Sequence, residues 1–186
     1  MDNKIAVFLA EGFEETEAIA TIDLMRRAGL TVSTFSVSED LKVEGANQIS
    51  VYADNLFSAF DAHEFDMLIL PGGMPGTLNL QKHEALMEAL TLFATHDKWL
   101  AAICAAPSVF GELGLLEGKH ATCYPSFEDK LRGATWLAQE VVVDGKVITS
   151  RGIGTVIPFA LTIIAQLLGE DKVNEIKQGI VFKAGC

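Results

Sequence analysis

Short, fully apolar runs alternate with amphipathic stretches along most of the 186-residue chain. That is the pattern of βαβ units around a parallel sheet whose strands are buried on both faces. Lys4–Ala10 reads as the first buried strand. In Glu15–Ala28, Ala18, Ile22 and Met25 recur at helical spacing, Arg26 and Arg27 suit the C-terminal end, and Gly29 supplies the cap. Thr31–Val37 predicts a second strand. Lys42–Glu44 and Ile49–Val51 predict a small side hairpin across Gly45-Ala46-Asn47-Gln48. Met67–Leu70 predicts a strand running into Pro71-Gly72-Gly73-Met74-Pro75-Gly76, and one long helix is expected after it, with Leu86, Leu90 and Phe93 facing inward. Leu100–Ile103 predicts a strand entering Cys104, and Ala106–Leu113 a helix leaving it. Val141–Asp144 and Val147–Ser150 flank Asp144-Gly145-Lys146, a tight-hairpin signal. The last long helix carries Ile157, Ala160, Leu161, Ile164 and Leu168 on one side, and Glu170–Gln178 reads as a short final helix. The expected fold is a three-layer α/β/α sandwich with a flavodoxin-like parallel sheet. It forms one domain over residues 1–186, with functional loops at the carboxyl ends of the strands.

Composition narrows the functional classes. Nearly half the residues are apolar, which excludes a disordered chain. Fourteen basic against 25 acidic residues give a net charge of −11, a surface that repels phosphate backbones and anionic membranes. Neither nucleic acid nor membrane is therefore an expected partner. The Met-Asp-Asn-Lys start lacks a signal-peptide pattern, so a cytoplasmic location is expected. Three cysteines, Cys104, Cys123 and Cys186, are too few and too irregular for a disulfide framework and lack the paired spacing of a zinc site. No metal or cofactor is expected, and free thiols are the default.

Three strand-end loops carry candidate chemistry, and all should meet at one edge of the sheet. They are Glu11-Gly12-Phe13-Glu14-Glu15-Thr16-Glu17, Pro71–Gly76, and Ala101-Ala102-Ile103-Cys104-Ala105-Ala106-Pro107. A cysteine at a strand-to-helix turn projects from the sheet beside a helix N-terminus, whose positive end favours the reactive thiolate. Pro107 fits the first turn, where no N–H is needed. Taken singly, each signal has a plainer reading. Cys104 suits a small buried apolar residue, Gly72-Gly73 a tight turn, and Glu14, Glu15 and Glu17 a solvated first helical turn. His63, His83, His96 and His120 fall in no triad or ligand motif and read as surface histidines.

Together with Thr149-Ser150-Arg151-Gly152-Ile153-Gly154-Thr155, these loops resemble the ThiJ/PfpI superfamily, a class I glutamine amidotransferase-like fold. The nearest branch is the Parkinsonism-associated deglycase and its bacterial relatives, with the motifs in order from Lys4 to about Lys183. The resemblance implies Cys104 as the nucleophile and Glu17 as its carboxylic-acid partner. It implies backbone amides at Gly73 and Ala105 in an oxyanion-type pocket, with Gly72 and Tyr124 lining it. A homodimer packed through Glu15–Ala28 is also implied, with Arg26, Arg27 or Pro158 near the partner's site.

Departures from the family pattern shape the mechanism. Tyr124 stands where the deglycase branch often has histidine, and a phenol with an ordinary pKa near 10 is no base at neutral pH. Proton traffic would then fall to Glu17. Ala105 stands where protease-like members keep histidine, which argues against a peptidase. Asn47 replaces the family's arginine in the hairpin. The implied activity is a cofactor-independent glyoxalase or deglycase acting on methylglyoxal, glyoxal or their early adducts. A redox sensor with chaperone-like behaviour, oxidised at Cys104, uses the same residues. Thiamine-precursor (thiazole) synthesis is a weaker option, because no phosphate-cradling loop of Walker type is present. Cys123, beside Tyr124, is either a buried strand-end residue or a resolving thiol.

Overall fold

The computed structural model describes residues 3–183; Cys186 lies outside them. In chain order the elements are β1 (Lys4–Leu9), α1 (Glu15–Arg27), β2 (Thr31–Ser36), β3 (Lys42–Glu44), β4 (Ser50–Tyr52), β5 (Asn55–Leu56) and β6 (Met67–Leu70). There follow α2 (Gly76–Gln81), α3 (Glu84–Thr95), β7 (Trp99–Ile103), α4 (Pro107–Glu112), β8 (His120–Ala121) and β9 (Thr135–Trp136). The chain continues through β10 (Val141–Asp144), β11 (Val147–Ser150), α5 (Val156–Leu168) and α6 (Glu170–Gly179).

Seven strands form one sheet in the order β10-β11-β7-β6-β1-β2-β5, parallel except for β10, which closes the edge as an antiparallel hairpin with β11. Strand side chains alternate between two cores, as a period of two requires. Ile5, Val7, Leu9, Met67, Ile69, Ala101 and Ile103 join the cluster beneath α1 and α5, whereas Ala6, Phe8, Leu68, Leu70, Leu100 and Ala102 join the cluster beneath α3 and α4. That two-sided burial is why these strands read as continuous apolar runs, and it gives the expected flavodoxin-like three-layer sandwich.

From β1 the chain moves outward to β2, then returns so that β6 lies on the other side of β1. The crevice at such a reversal, outside the carboxyl ends of the strands, is where open α/β sheets bind ligands. The loops after β1 and β6 therefore meet there: Glu14 N donates to Gly72 O (2.9 Å) and Gly76 N to Gly12 O (3.0 Å). The β3–β4 hairpin packs over the same end, with Gly12 N donating to Glu44 O (2.8 Å) and Ala46 N to Phe13 O (2.8 Å).

Two helical expectations need correction. The helix after the Pro71–Gly76 loop is two helices, broken at Lys82-His83 because the His83 side chain caps α3, its Nδ1 accepting the Leu86 N–H (3.2 Å). On α5 the buried face runs through Val156, Phe159, Ala160, Leu161, Ile163 and Ile164, while Leu168 is 39% exposed because the helix ends there and the chain turns into α6. Among the described residues, no helix is long and apolar enough to cross a membrane.

Candidate active site

Cys104 occupies the residue between β7 and the turn into α4, at φ +65°, a left-handed conformation that non-glycine residues adopt at a cost. The surrounding backbone fixes it there. Cys104 N donates to Ser150 O (3.0 Å), and Tyr124 N donates to Cys104 O (2.8 Å), so the turn is tied to the end of β11 and to the loop after β8. The sulfur meets the backbone N–H groups of Gly73 and Ala105. Two amides converging on one sulfur form a pocket suited to a developing negative charge.

Glu17 lies opposite, in the first turn of α1, and is 1% exposed. Its Oε2 accepts the Gly72 N–H (3.0 Å). Its Oε1 is buried with no nitrogen or oxygen partner among the described residues, and its carboxyl meets the Cys104 thiol. Gly72 is required at this contact: a Cβ there would lie 2.5 Å from Cys104 Cβ and 2.7 Å from Glu17 Oε2. Gly73 adopts φ +95°, turning its N–H toward the sulfur in a conformation that side chains resist.

Burial dominates the electrostatics of this pair. It raises the Glu17 pKa from 4.5 to about 7, against the lowering effect of the hydrogen bonds from Cys104 and Gly72. Burial, joined by the Glu17 charge, pushes the Cys104 thiol up to about 12 despite the Gly73 and Ala105 amides. The expectation that a helix N-terminus depresses this thiol is thus reversed for the isolated group. The following helix has only six residues and starts three positions beyond Cys104, and a carboxylate faces the sulfur. Cys104 and Glu17 instead titrate as a unit that gives up its first proton near pH 7 and holds the second well above it. The proton on Oε1 leaves a thiolate with three donors, Gly73 N, Ala105 N and the Glu17 carboxyl, whereas the proton on sulfur leaves a carboxylate with two, the thiol and Gly72 N.

The plainer reading of the acidic turn also fails, because all three carboxylates are buried. Glu14 Oε2 accepts the Glu17 N–H (2.6 Å) as the N-cap of α1. Glu15 accepts Asn47 N (2.7 Å), Asn47 Nδ2 (2.9 Å) and Ile49 N (3.3 Å), which pins the hairpin to α1. Asn47 is therefore an anchor for Glu15.

A cleft of about 790 Å³ opens above Cys104, bordered by Glu17, Gly73, Ala105, Tyr124 and Arg151. Tyr124 is 49% exposed, and its ring lies beside Gly152, where a Cβ would be 3.3 Å from Cδ2. No histidine borders the cleft: His83 caps α3, and His120 Nδ1 lies 3.1 Å from Asp144 Oδ2. Cys123 is fully buried in the cluster beneath α3 and α4, whereas Cys104 packs against the cluster on the other side of the sheet. Burial pushes the Cys123 thiol up to about 12 as well. Arg26 and Arg27 lie at the far end of α1 from Glu17. Arg26 bonds Asp54 (2.7 Å) and Val32 O (2.9 Å), and Arg27 bonds Asp23 (2.6 Å). Pro158 fits the first turn of α5 and borders a separate groove of about 480 Å³. Among the described residues, no cluster of three or more His, Cys, Asp or Glu side chains could hold a metal ion.

Arg151 and Glu140 also border the cleft and were given no role from sequence. The available signal for Arg151 was its place directly after a strand, at the same carboxyl edge as Cys104.

The model of the DJ-1/PfpI family matches residues 3–166. Protein DJ-1 homolog B of Arabidopsis thaliana is 41% identical over 97% of this chain, and the chain spans 42% of it and 46% of the Arabidopsis homolog A. The chain thus covers under half the length of these two relatives. The glutathione-independent glyoxalase DJR-1.2 of Caenorhabditis elegans is 33% identical, with 89% of each chain covered. The solved structure of oxidized DJ-1 from Toxoplasma gondii superposes with a TM-score of 0.94 at 34% identity, covering 98% of this chain and all of that one. With four strand-end motifs converging on one cleft and a family match over most of its length, this chain belongs to the DJ-1/PfpI family.

Proposed function

We propose that the protein is a cofactor-independent, cysteine-dependent glyoxalase or deglycase for methylglyoxal, glyoxal or their early adducts. One observation carries the reading: a half-buried Cys104 thiol set against the buried Glu17 carboxyl at the base of an open cleft, with two amides on the sulfur. The named activity of the nematode relative agrees with it.

In this scheme the Cys104 thiolate adds to the aldehyde carbon, forming a C–S bond and an alkoxide. The Gly73 and Ala105 amides stabilise that oxyanion. Glu17 gives its proton to that oxyanion, and the carboxylate so formed moves a proton from the former aldehyde carbon to the neighbouring carbon through an enediol. The resulting thioester is hydrolysed by water, releasing lactate from methylglyoxal or glycolate from glyoxal and restoring the thiol. The aldehyde carbon is oxidised as the ketone carbon is reduced, so no redox cofactor is needed. A homodimer packed through α1 belongs to the same proposal, with Arg26, Arg27 and Pro158 near the partner's cleft; Ile19 on that helix is 44% exposed. The test is lactate formation from methylglyoxal by the intact protein and by Cys104→Ser. Loss of lactate in the variant supports the scheme, and retained lactate defeats it.

A second reading, oxidation of Cys104 as a redox signal, is favoured by the placement of the two thiols. A peroxide-derived sulfenate on Cys104 has no thiol on its own side of the sheet among the described residues, and Cys123 belongs to the opposite core. Oxidation would proceed to a sulfinate held by the Glu17 proton and the two amides. Peptide mass spectrometry across a peroxide titration distinguishes two added oxygens on Cys104, as expected, from a Cys104–Cys123 crosslink, which this reading forbids.

A further inference from the structure

The cleft has far more room than a three-carbon aldehyde fills. At about 790 Å³ it falls within the range of sites for much larger organic ligands. Its wall carries one cation. Arg151 leaves β11 directly after Ser150, which pairs with Ile103 in the parallel register, so Arg151 and Cys104 emerge from neighbouring strands at the same level. Neighbouring strands lie about 4.8 Å apart, within the reach of an arginine side chain. The Arg151 backbone is fixed, since Thr155 Oγ1 accepts the N–H groups of both Arg151 (3.2 Å) and Gly152 (3.1 Å). Its guanidinium, by contrast, makes no hydrogen bond or ion pair among the described residues, whereas those of Arg26 and Arg27 are both engaged with aspartates.

The nearby carboxylates do not remove the need for a partner. Glu14 caps α1 through the Glu17 N–H, and Glu17 is held largely protonated below about pH 7. Glu140 borders the same cleft without bonding the guanidinium. In a chain of net charge −11, a half-buried, unpaired arginine on the wall of the nucleophile's cleft is a local exception, and its charge also reaches the buried Cys123 thiol. Guanidinium recognises carboxylate through two parallel N–H···O bonds, which fix orientation as well as charge.

We propose that Arg151 is an anion subsite that binds the terminal carboxylate of an aldehyde substrate, so that the preferred substrates are 2-oxoaldehydes bearing a carboxylate at the far end of the chain. The binding claim stands on the cleft alone; the turnover claim rests on the Cys104 chemistry proposed above. For 4,5-dioxopentanoate the sulfur bonds to the aldehyde carbon, the carbon-bound proton moves to the ketone carbon, and water cleaves the C–S bond. The aldehyde carbon is oxidised and the ketone carbon reduced, giving 2-hydroxyglutarate with one water consumed and no external oxidant.

The experiment has a binding arm and a kinetic arm. In the first, iodoacetamide alkylation of Cys104 is followed with glutarate or its neutral diamide present. Glutarate should protect the wild type and the diamide should not, and Arg151→Gln should need roughly tenfold more glutarate, with Arg151→Lys in between. Absence of glutarate protection in the wild type, or equal protection in Arg151→Gln, overturns the subsite. In the second, Arg151→Gln should lower kcat/KM for 4,5-dioxopentanoate by roughly tenfold to a hundredfold while changing that for methylglyoxal by less than about threefold. Equal losses on both substrates also overturn it. Arg151-dependent protection in a protein that turns over neither aldehyde would leave the subsite standing and remove the glyoxalase reading.

Discussion

Glu15 and Glu17 leave the same helical turn two positions apart, and both are almost fully buried, at 3% and 1% exposed. Burial pushes both carboxyls toward the neutral form. In Glu15 it is outweighed by the hydrogen bonds from Asn47 and from the backbone, and the pKa falls below 4.5. In Glu17 burial prevails and the pKa rises to about 7, since Oε1 has no nitrogen or oxygen donor and only Gly72 and Cys104 oppose it. The count of donors, and not depth, divides the two. It makes Glu15 a fixed charge that anchors the hairpin and Glu17 a proton store facing a thiol.

Substitutions at the two positions should therefore separate chemistry from stability. Glu17→Gln keeps the volume and a hydrogen-bonding head but cannot exchange a proton, so turnover of methylglyoxal should fall roughly 10²–10⁴-fold with the fold intact. Steady-state kinetics beside circular dichroism checks this, and full activity would break the comparison. Glu15→Ala leaves three N–H donors of the hairpin without their acceptor. It should cost about 3 kcal/mol in denaturant unfolding, with a smaller loss of activity than Glu17→Gln. A larger activity loss at Glu15 than at Glu17 would invert the assignment.

The pH dependence of stability sharpens the same contrast, because the two shifts have opposite signs. A carboxyl raised in the folded state stabilises below its unfolded value and loses that contribution as pH rises through the folded value. The Glu17 contribution should thus disappear between about pH 4.5 and 7, of order 3 kcal/mol at ~1.4 kcal/mol per pH unit. A carboxyl lowered in the folded state does the reverse, so the Glu15 contribution is present above pH 4.5 and fades as pH falls through its folded value. Urea midpoints for Glu17→Gln and wild type should converge at the acid end of that interval and separate toward pH 7. The smallest effect concerns His83, which burial holds below 6.5 and whose neutral Nδ1 caps α3. Stability from this cap should be present above pH 6.5 and lost as pH falls below it, and His83→Asn should blunt that acid slope.

How much of this was legible in the sequence depends on how local its cause is. The strand entering Cys104 and the β10–β11 hairpin were readable because apolar runs and turn residues are neighbours along the chain. So was the convergence of strand-end loops, since a parallel sheet places them at one edge. The burial of Glu15 was not readable, because its partners Asn47 and Ile49 arrive from a hairpin more than thirty positions later. The break between α2 and α3 was hidden because histidine is an uncommon N-cap. The direction of the Cys104 shift does not follow from the helix end alone, since burial and Glu17 outweigh the backbone amides.

The claim that Cys104 and Glu17 share one proton is tested most directly by the pH profile of Cys104 alkylation with iodoacetamide, read by peptide mass spectrometry. The wild type should rise through an inflection near pH 7 to a plateau, because loss of the first proton from the pair leaves a single proton between carboxyl and sulfur and so populates thiolate. In Glu17→Gln that inflection should vanish and reactivity should appear only in the alkaline range, as expected for Cys123. Identical profiles for the two proteins, or a wild type with only an alkaline inflection, would contradict the shared proton.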